Sequence, residues 1–215
     1  MTSSKVSAGM FEWTQPVPRE TWNPRDPTLL KIAERYEQVE QAIGYRFRDK
    51  GWLLMAFTHE SMPAMQRIVP ATMYPTNLLG DSWLRYFLSA NLYGSMHPLC
   101  PRSLNEATSH VVAKYSLGLA AVRHGWHRLL YTGSARLDED IANYVCSIQN
   151  TDYPGDHGKV PPKVLADAFG ALIGAVYLDS NHDMAASWHA LYSVLRPHID
   201  YEVAAVAAKS ALYFF

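Results

Sequence analysis

The sequence predicts an all-α fold, and three observations carry that prediction. Apolar residues recur at three- and four-residue spacing through successive stretches, among them Leu30, Ala33, Tyr36, Val39 and Ile43; this is the period of a helix with one buried face. Glycine and proline stand where those stretches stop, as at Gly44, Gly125 and Pro197, the expected punctuation of helices. No stretch reads as a strand-rich module, and no internal repeat is present.

Taken in order, Pro27 and Thr28 lead into a helix over 29–43 that Gly44 stops. Trp52, Leu53, Met55, Ala56 and Phe57 make a short helix ending near Thr58 and His59. The segment 60–75, with three prolines and mixed polarity, reads as a loop. An apolar helix opens with Thr76-Asn77-Leu78-Leu79-Gly80-Asp81-Ser82-Trp83-Leu84 and runs to about Tyr93. Its Leu79, Trp83, Tyr86, Phe87, Ala90 and Tyr93 make a broad surface, more aromatic than one small core takes up. Ser103-Leu104-Asn105-Glu106 has capping-box spacing, so a helix is predicted from Ser103 to about His124. A further helix spans 137–149, and 150–162 collects three prolines and two glycines into a loop. A second long apolar helix covers 163–178, followed by one over 183–195 that Pro197 stops. The alanine-rich tail 201–215 forms one more helix.

Composition narrows the function. A chain of 215 residues with 48% apolar and 18% charged residues holds one globular domain with a sizeable core, plus extensions. Its formal net charge of −1 supplies no overall basic field, so any RNA contact comes from a local patch or a partner. Cys100 and Cys146 are too few for a disulfide framework, and no Cys/His group has zinc spacing. His124 and His127 lack further ligands nearby and read as packing or surface residues. No apolar run approaches the ~20 residues of a membrane span. Residues 1–27, with Trp13, Trp22 and four prolines, resemble neither a secretory leader nor an Arg-rich transit peptide. They read either as an extended arm lying on a partner or as a loose terminus.

The two long apolar helices each carry one acid, Asp81 and Asp167. Carboxylates are seldom buried without a partner. The two either share a polar cleft, or each is a helix-end acid paired with a nearby base.

Both stretches are familiar. The first resembles the ribonuclease III signature Leu-Glu-Phe-Leu-Gly-Asp-Ala-Val-Leu. The second, Pro162-Lys163-Val164-Leu165-Ala166-Asp167-Ala168-Phe169-Gly170-Ala171-Leu172-Ile173-Gly174-Ala175, resembles the same family's Pro-Lys-x-x-x-Asp-x-x-Glu-Ala-Leu-x-Gly-Ala helix in its Dicer-type form. Similarity extends to residues 43–50, to Ala56-Phe57-Thr58-His59-Glu60-Ser61 and to Tyr177-Leu178-Asp179-Ser180. The motifs fall in family order over roughly residues 28–200. The resemblance implies a ribonuclease III-like helical endonuclease domain there, flanked by an arm (1–27) and a tail (201–215). That tail is too short for the double-stranded-RNA-binding domain that often follows this fold.

The resemblance also implies a site. In the family, four carboxylates on two helices hold divalent metal, which activates water against an RNA phosphate. Asp81 and Asp167 match two of these positions and are the candidate metal ligands; nothing in the spacing recommends rescue by Glu60 or a partner's acid. Asn77 replaces the glutamate four residues before Asp81, Gly170 the glutamate three residues after Asp167, and Tyr74 a further acid. Lys163, one turn before Asp167, lowers the pocket's negative charge further. Where the family has Leu-Arg-Ser and Val-Asn-Asn, this chain has Ala107-Thr108-Ser109 and Val112-Ala113-Lys114. Gly170 and Gly174, with Ala166, Ala171 and Ala175, form a small-residue face that suits close approach by another backbone.

Scaffold positions match while functional ones do not, and the chain reads as a pseudoenzyme. It is expected to need no cofactor, to pair through Trp83, Tyr86 and Phe87 with itself or another ribonuclease III-like chain, and to join an RNA–protein assembly. The degenerate domains of fungal-type mitochondrial large ribosomal subunits look like this. Its partners are then structured or double-stranded RNA and a second nuclease-like chain, with no membrane. An intracellular location is expected, with the mitochondrion a candidate beside cytoplasm and nucleus. The alternative is an active Dicer-like half of a heterodimer using Mg²⁺. A minor third reading, a Gly-Asp-Ser esterase using Ser82, Asp179 and His182, requires a buried strand before the serine that the sequence lacks.

Overall fold

The computed structural model describes residues 22–62, 67–69, 71–95, 101–148 and 160–212. The arm through residue 21, Cys100, most of the 150–162 loop and Tyr213-Phe214-Phe215 lie outside them. Nine α-helices are found among the described residues, with one isolated bridge between Thr58 and Tyr131 and no strand. The all-α expectation is met. No described helix is long and apolar enough to cross a membrane.

Helix α8 (Lys163–Asp179) is the axis of the molecule. Every residue from Val164 to Asp179 is buried, as expected of a helix that is apolar all round. α3 (Lys50–Ala56), α4 (Met73–Ser95), α6 (Lys114–Arg123) and α9 (Met184–Leu212) pack around it. Leu165, Phe169, Leu172, Ile173 and Val176 fill the space between them.

Side-chain caps fix the ends of several helices. Asp26 accepts from the Thr28 and Leu29 amides at the start of α1 (Pro27–Ala33). Asp49 caps α3 through the Gly51 amide, and Ser134 caps α7 (Ala135–Ser147). Each satisfies a donor the helix leaves unpaired. Gly44, with φ +65°, ends α2 (Glu37–Ile43) in the left-handed conformation, where glycine carries no Cβ penalty.

Several boundaries differ from the sequence expectation. The predicted helix over 29–43 is α1 and α2 joined by a 3-10 turn at Glu34–Tyr36. Tertiary bonds hold that turn: the Tyr36 hydroxyl donates to the Leu129 carbonyl (3.0 Å), and Arg35 Nη1 donates to the Tyr131 hydroxyl (2.7 Å). α4 starts at Met73, so Pro75 lies in its first turn, where its missing N–H costs nothing. Ser103 does not cap a single helix to His124. It lies inside α5 (Pro101–Val111), and extended Ala113 separates α5 from α6.

Pro197 does not stop the next helix. α9 runs through it from the Asp183 cap to Leu212. An internal proline costs about 3 kcal/mol, but the buried face continues on both sides through Val194, Leu195, Ile199 and Glu202. Each fully buried aliphatic residue contributes about 1.5–3 kcal/mol, so packing wins. His110 Nδ1 and Glu202 Oε2, 2.9 Å apart, tie the second half of α9 to α5.

Trp22, assigned to the arm from sequence, belongs to the folded domain. It packs edge-on against Trp52 and donates from Nε1 to Asp49. Phe87 is also internal: it is 6% exposed and packs on Trp188, while Trp83 lies on Tyr177 at 4.4 Å between centroids. Of the three predicted interface aromatics, Tyr86 alone points outward, at 55% exposure. Leu78 and Tyr93 on the same helix are also exposed.

Candidate functional site

The pocket lies where α4 crosses α8, and glycine makes that crossing possible. A Cβ at Gly80 would stand 2.7 Å from the Gly170 carbonyl carbon and 2.9 Å from the Gly174 nitrogen. One at Gly174 would stand 3.0 Å from the Thr76 carbonyl carbon. The small-residue face read from Gly170 and Gly174 therefore serves close packing, and the backbone it meets is this chain's own α4.

Close crossing brings all the predicted site residues together. Asn77 and Asp81, one turn apart on α4, face Asp167 and Gly170 on α8. Asp167 is 5% exposed and Asn77 is buried, while Asp81 lies at the open edge. Lys163 Nζ donates to Asp167 Oδ2 at 2.5 Å, with more than half of the lysine side chain in solvent. In one orientation of its amide, Asn77 puts Nδ2 3.5 Å from Asp167 Oδ1. Rotated by half a turn, the nitrogen donates to the Asp167 carbonyl (3.1 Å) and to Asp81 Oδ1 (3.3 Å). The second orientation matches donor to acceptor on both sides.

Gly170 contributes only a gap. A Cβ there would overlap both the Asn77 amide and Asp81 Oδ1, so those side chains fill the space a glutamate would need. Tyr74, at the replaced acid position, sets its ring 5.3 Å from the Lys163 ammonium, a cation–π contact. Its hydroxyl is 3.4 Å from His59 Nε2, and His59 Nδ1 is 2.8 Å from Ser61 Oγ. His59 and Ser61 thus extend the contacts outward from Tyr74, a link that sequence spacing does not signal.

The electrostatics follow from this packing. Burial, and then the neighbouring Asp167 carboxylate, push the Asp81 carboxyl above its usual range; Lys163, Lys114 and Arg85 pull the other way. Burial, then Glu60 and Asp167, raise the Tyr74 phenol despite Lys163.

Whether this donor set suits the divalent metal implied by the resemblance can be tested on chemistry. Hard divalent ions take clusters of oxygen ligands. Here two carboxylates are interleaved with an ammonium and an amide N–H, and the fourth position has no side chain. Among the described residues, no three His, Cys, Asp or Glu side chains group as metal ligands. The residues do not fit a metal pair.

The esterase candidates do not assemble. Ser82 Oγ donates to the Leu78 carbonyl within α4. Asp179 is occupied by the Tyr45 hydroxyl and by the Arg48 and Asp49 amides, at 2.8–2.9 Å. His124 packs on Trp126, in keeping with a packing role.

Comparison with known proteins agrees with the helical frame. A model of the ribonuclease III domain matches residues 76–181. Endoribonuclease Dcr-1 of Drosophila melanogaster is 28% identical over 187 residues, covering 80% of this chain and 8% of that protein. Ribonuclease 3-like protein 3 of Oryza sativa subsp. japonica is 32% identical over 178 residues, covering 82% of this chain and 59% of that one. The chain thus spans a small fraction of the Dicer relative and little more than half of the rice protein. The nuclease domain of ribonuclease III from Campylobacter jejuni, described for flexibility in a region involved in dimer formation, superposes with a TM-score of 0.58. It is 21% identical, and the match covers 75% of this chain and 97% of that domain. Motifs, helical frame and matched segment together identify a ribonuclease III domain in this chain, matched over residues 76–181.

Proposed function

We propose that this protein is a non-catalytic ribonuclease III fold that pairs with a second ribonuclease III-like chain. The pair contributes a structural surface to an RNA–protein assembly such as the mitochondrial large ribosomal subunit. The carrying observation is the replacement of two of the four acids by Asn77 and Gly170, with the Asn77 amide and Asp81 filling the space a side chain at 170 would need; Lys163, which the family motif shares, pairs with Asp167 beside them. Loss of metal ligation removes both the nucleophile and the charge stabilisation that phosphodiester hydrolysis requires. Pairing is supported by Leu78, Tyr86 and Tyr93, exposed along α4, and by the dimer-forming region described for the Campylobacter jejuni domain.

The test is incubation of the purified chain with double-stranded RNA and Mg²⁺, alone and after co-purification with its native partner. Wild type and Asp81→Ala are expected to be indistinguishable, with no cleavage, and mitochondrial ribosomal proteins are expected to co-migrate. Cleavage by wild type that Asp81→Ala abolishes would instead make the chain an active Dicer-like half, as its Dicer relatives suggest.

A further inference from the structure

We infer that the former acid pocket is a metal-independent clasp, in which the Asn77 amide supplies as an N–H donor the cross-helix bonding that carboxylates obtain from a cation, while Lys163 neutralises Asp167 from within α8. Although this builds on the reading of the chain as non-catalytic, it concerns ion binding and stability and is measured without RNA.

Asp167, buried in the second turn of α8, meets an ammonium on one carboxylate oxygen at 2.5 Å. Its main-chain carbonyl and Asp81 Oδ1 both meet the Asn77 nitrogen, at 3.1 and 3.3 Å. Asn77 therefore ties α4 to α8 through one amide, touching an acceptor on each helix. A glutamate at 77 would present acceptors to these acceptors, and a bound cation or proton would be needed to relieve the repulsion. Substitution of one acceptor residue by a donor thus removes a ligand and also removes the electrostatic need for the ion.

Gly170 completes the arrangement. Because the Asn77 amide and Asp81 Oδ1 occupy the position of its absent Cβ, the clasp requires glycine there. Tyr74 holds the outer side of the Lys163 head by its ring face. Three replacements that read separately as losses of function, Asn77, Gly170 and Tyr74, therefore form one packed unit with Lys163.

The experiment compares thermal unfolding of the full chain in EDTA, Mg²⁺ and Mn²⁺, with calorimetric titration of Mn²⁺ alongside. Wild type is expected to unfold at the same temperature in all three and to take up no stoichiometric ion. Asn77→Asp, nearly isosteric but acceptor-only, is expected to unfold several degrees lower in EDTA and to recover in Mn²⁺. Asn77→Ala is expected to lose stability equally with and without metal. Saturable Mn²⁺ uptake that raises the wild-type midpoint would overturn the clasp, as would an Asn77→Asp midpoint unchanged in EDTA. If Asn77→Asp does not fold, the wild-type comparison and Asn77→Ala still decide. Metal uptake without RNA cleavage sinks the clasp and leaves the non-catalytic reading standing; RNA cleavage sinks the latter.

Discussion

Gly80 and Gly170 meet backbone to backbone: a side-chain carbon at Gly80 would lie 2.7 Å from the Gly170 carbonyl carbon. Alanine is ordinarily the better helix former by about 1 kcal/mol, so Gly80→Ala pits propensity against packing. Overpacking of this kind costs about 1–3 kcal/mol, and here the obstacle is main chain that cannot swing aside. Gly94, also in α4, has open space at its Cβ position. Urea unfolding should show Gly80→Ala destabilised and Gly94→Ala stabilised by about 0.5–1 kcal/mol.

Adjacent aromatics on α4 should separate stability from association. Phe87 is buried against Trp83 and Trp188, and Phe87→Ala should cost about 3–5 kcal/mol of folding stability. Tyr86 is exposed, and Tyr86→Ser should change stability by no more than about 0.5 kcal/mol while weakening pairing. Sedimentation velocity over a concentration series, beside denaturation curves, checks both outcomes.

Lys163→Met keeps most of the aliphatic stem and removes the ammonium. Asp167 then keeps a buried carboxylate without its charged donor, which should cost about 1–3 kcal/mol. The exposed lysine head keeps the expected loss below that of a fully buried ion pair. Lys163→Arg should recover part of the loss. Chemical denaturation near neutral pH measures all three.

Acid should destabilise the fold through two histidines. Burial lowers the proton affinity of His124, and burial together with Arg128 lowers that of His127. Because the folded values lie below the unfolded one of about 6.5, more protons bind to the unfolded chain as pH falls. Their contribution is fully present above that value and is lost as pH drops through it toward the folded values. Melting temperatures recorded across this range should fall on the acid side, and His127→Gln should flatten the slope.

The sequence was most informative where local chemistry and global packing agree. Helix α8 was legible nearly to the residue because an uninterrupted apolar run has one stable environment, the interior. Gly44 and Gly125 stop their helices as expected, both at positive φ. Asp81, Asp167, Asn77 and Gly170 lie side by side because motif spacing fixes helix face. What escaped was decided by distant partners. Nothing near Tyr36 announces its bond to Leu129, 93 residues away. Pro197 reads locally as a stop, and only the continued burial beyond it in α9 shows why it is tolerated. Phe87 and Tyr86 are neighbours in sequence with opposite fates, set by where Trp188 lies.

The sheathing of α8 also bears on how the molecule exchanges hydrogen with solvent. A helix buried along its whole length from Val164 to Asp179 has no side from which a few turns can open alone. Its central amides, around Ala171 to Val176, should exchange with deuterium only when the entire chain unfolds, and so act as an internal gauge of total stability. The far end of α9, beyond Pro197, should exchange much sooner. A clasp variant that loosens α4 from α8 would narrow that gap from the slow side, registering a change at the pocket as a faster clock in the core.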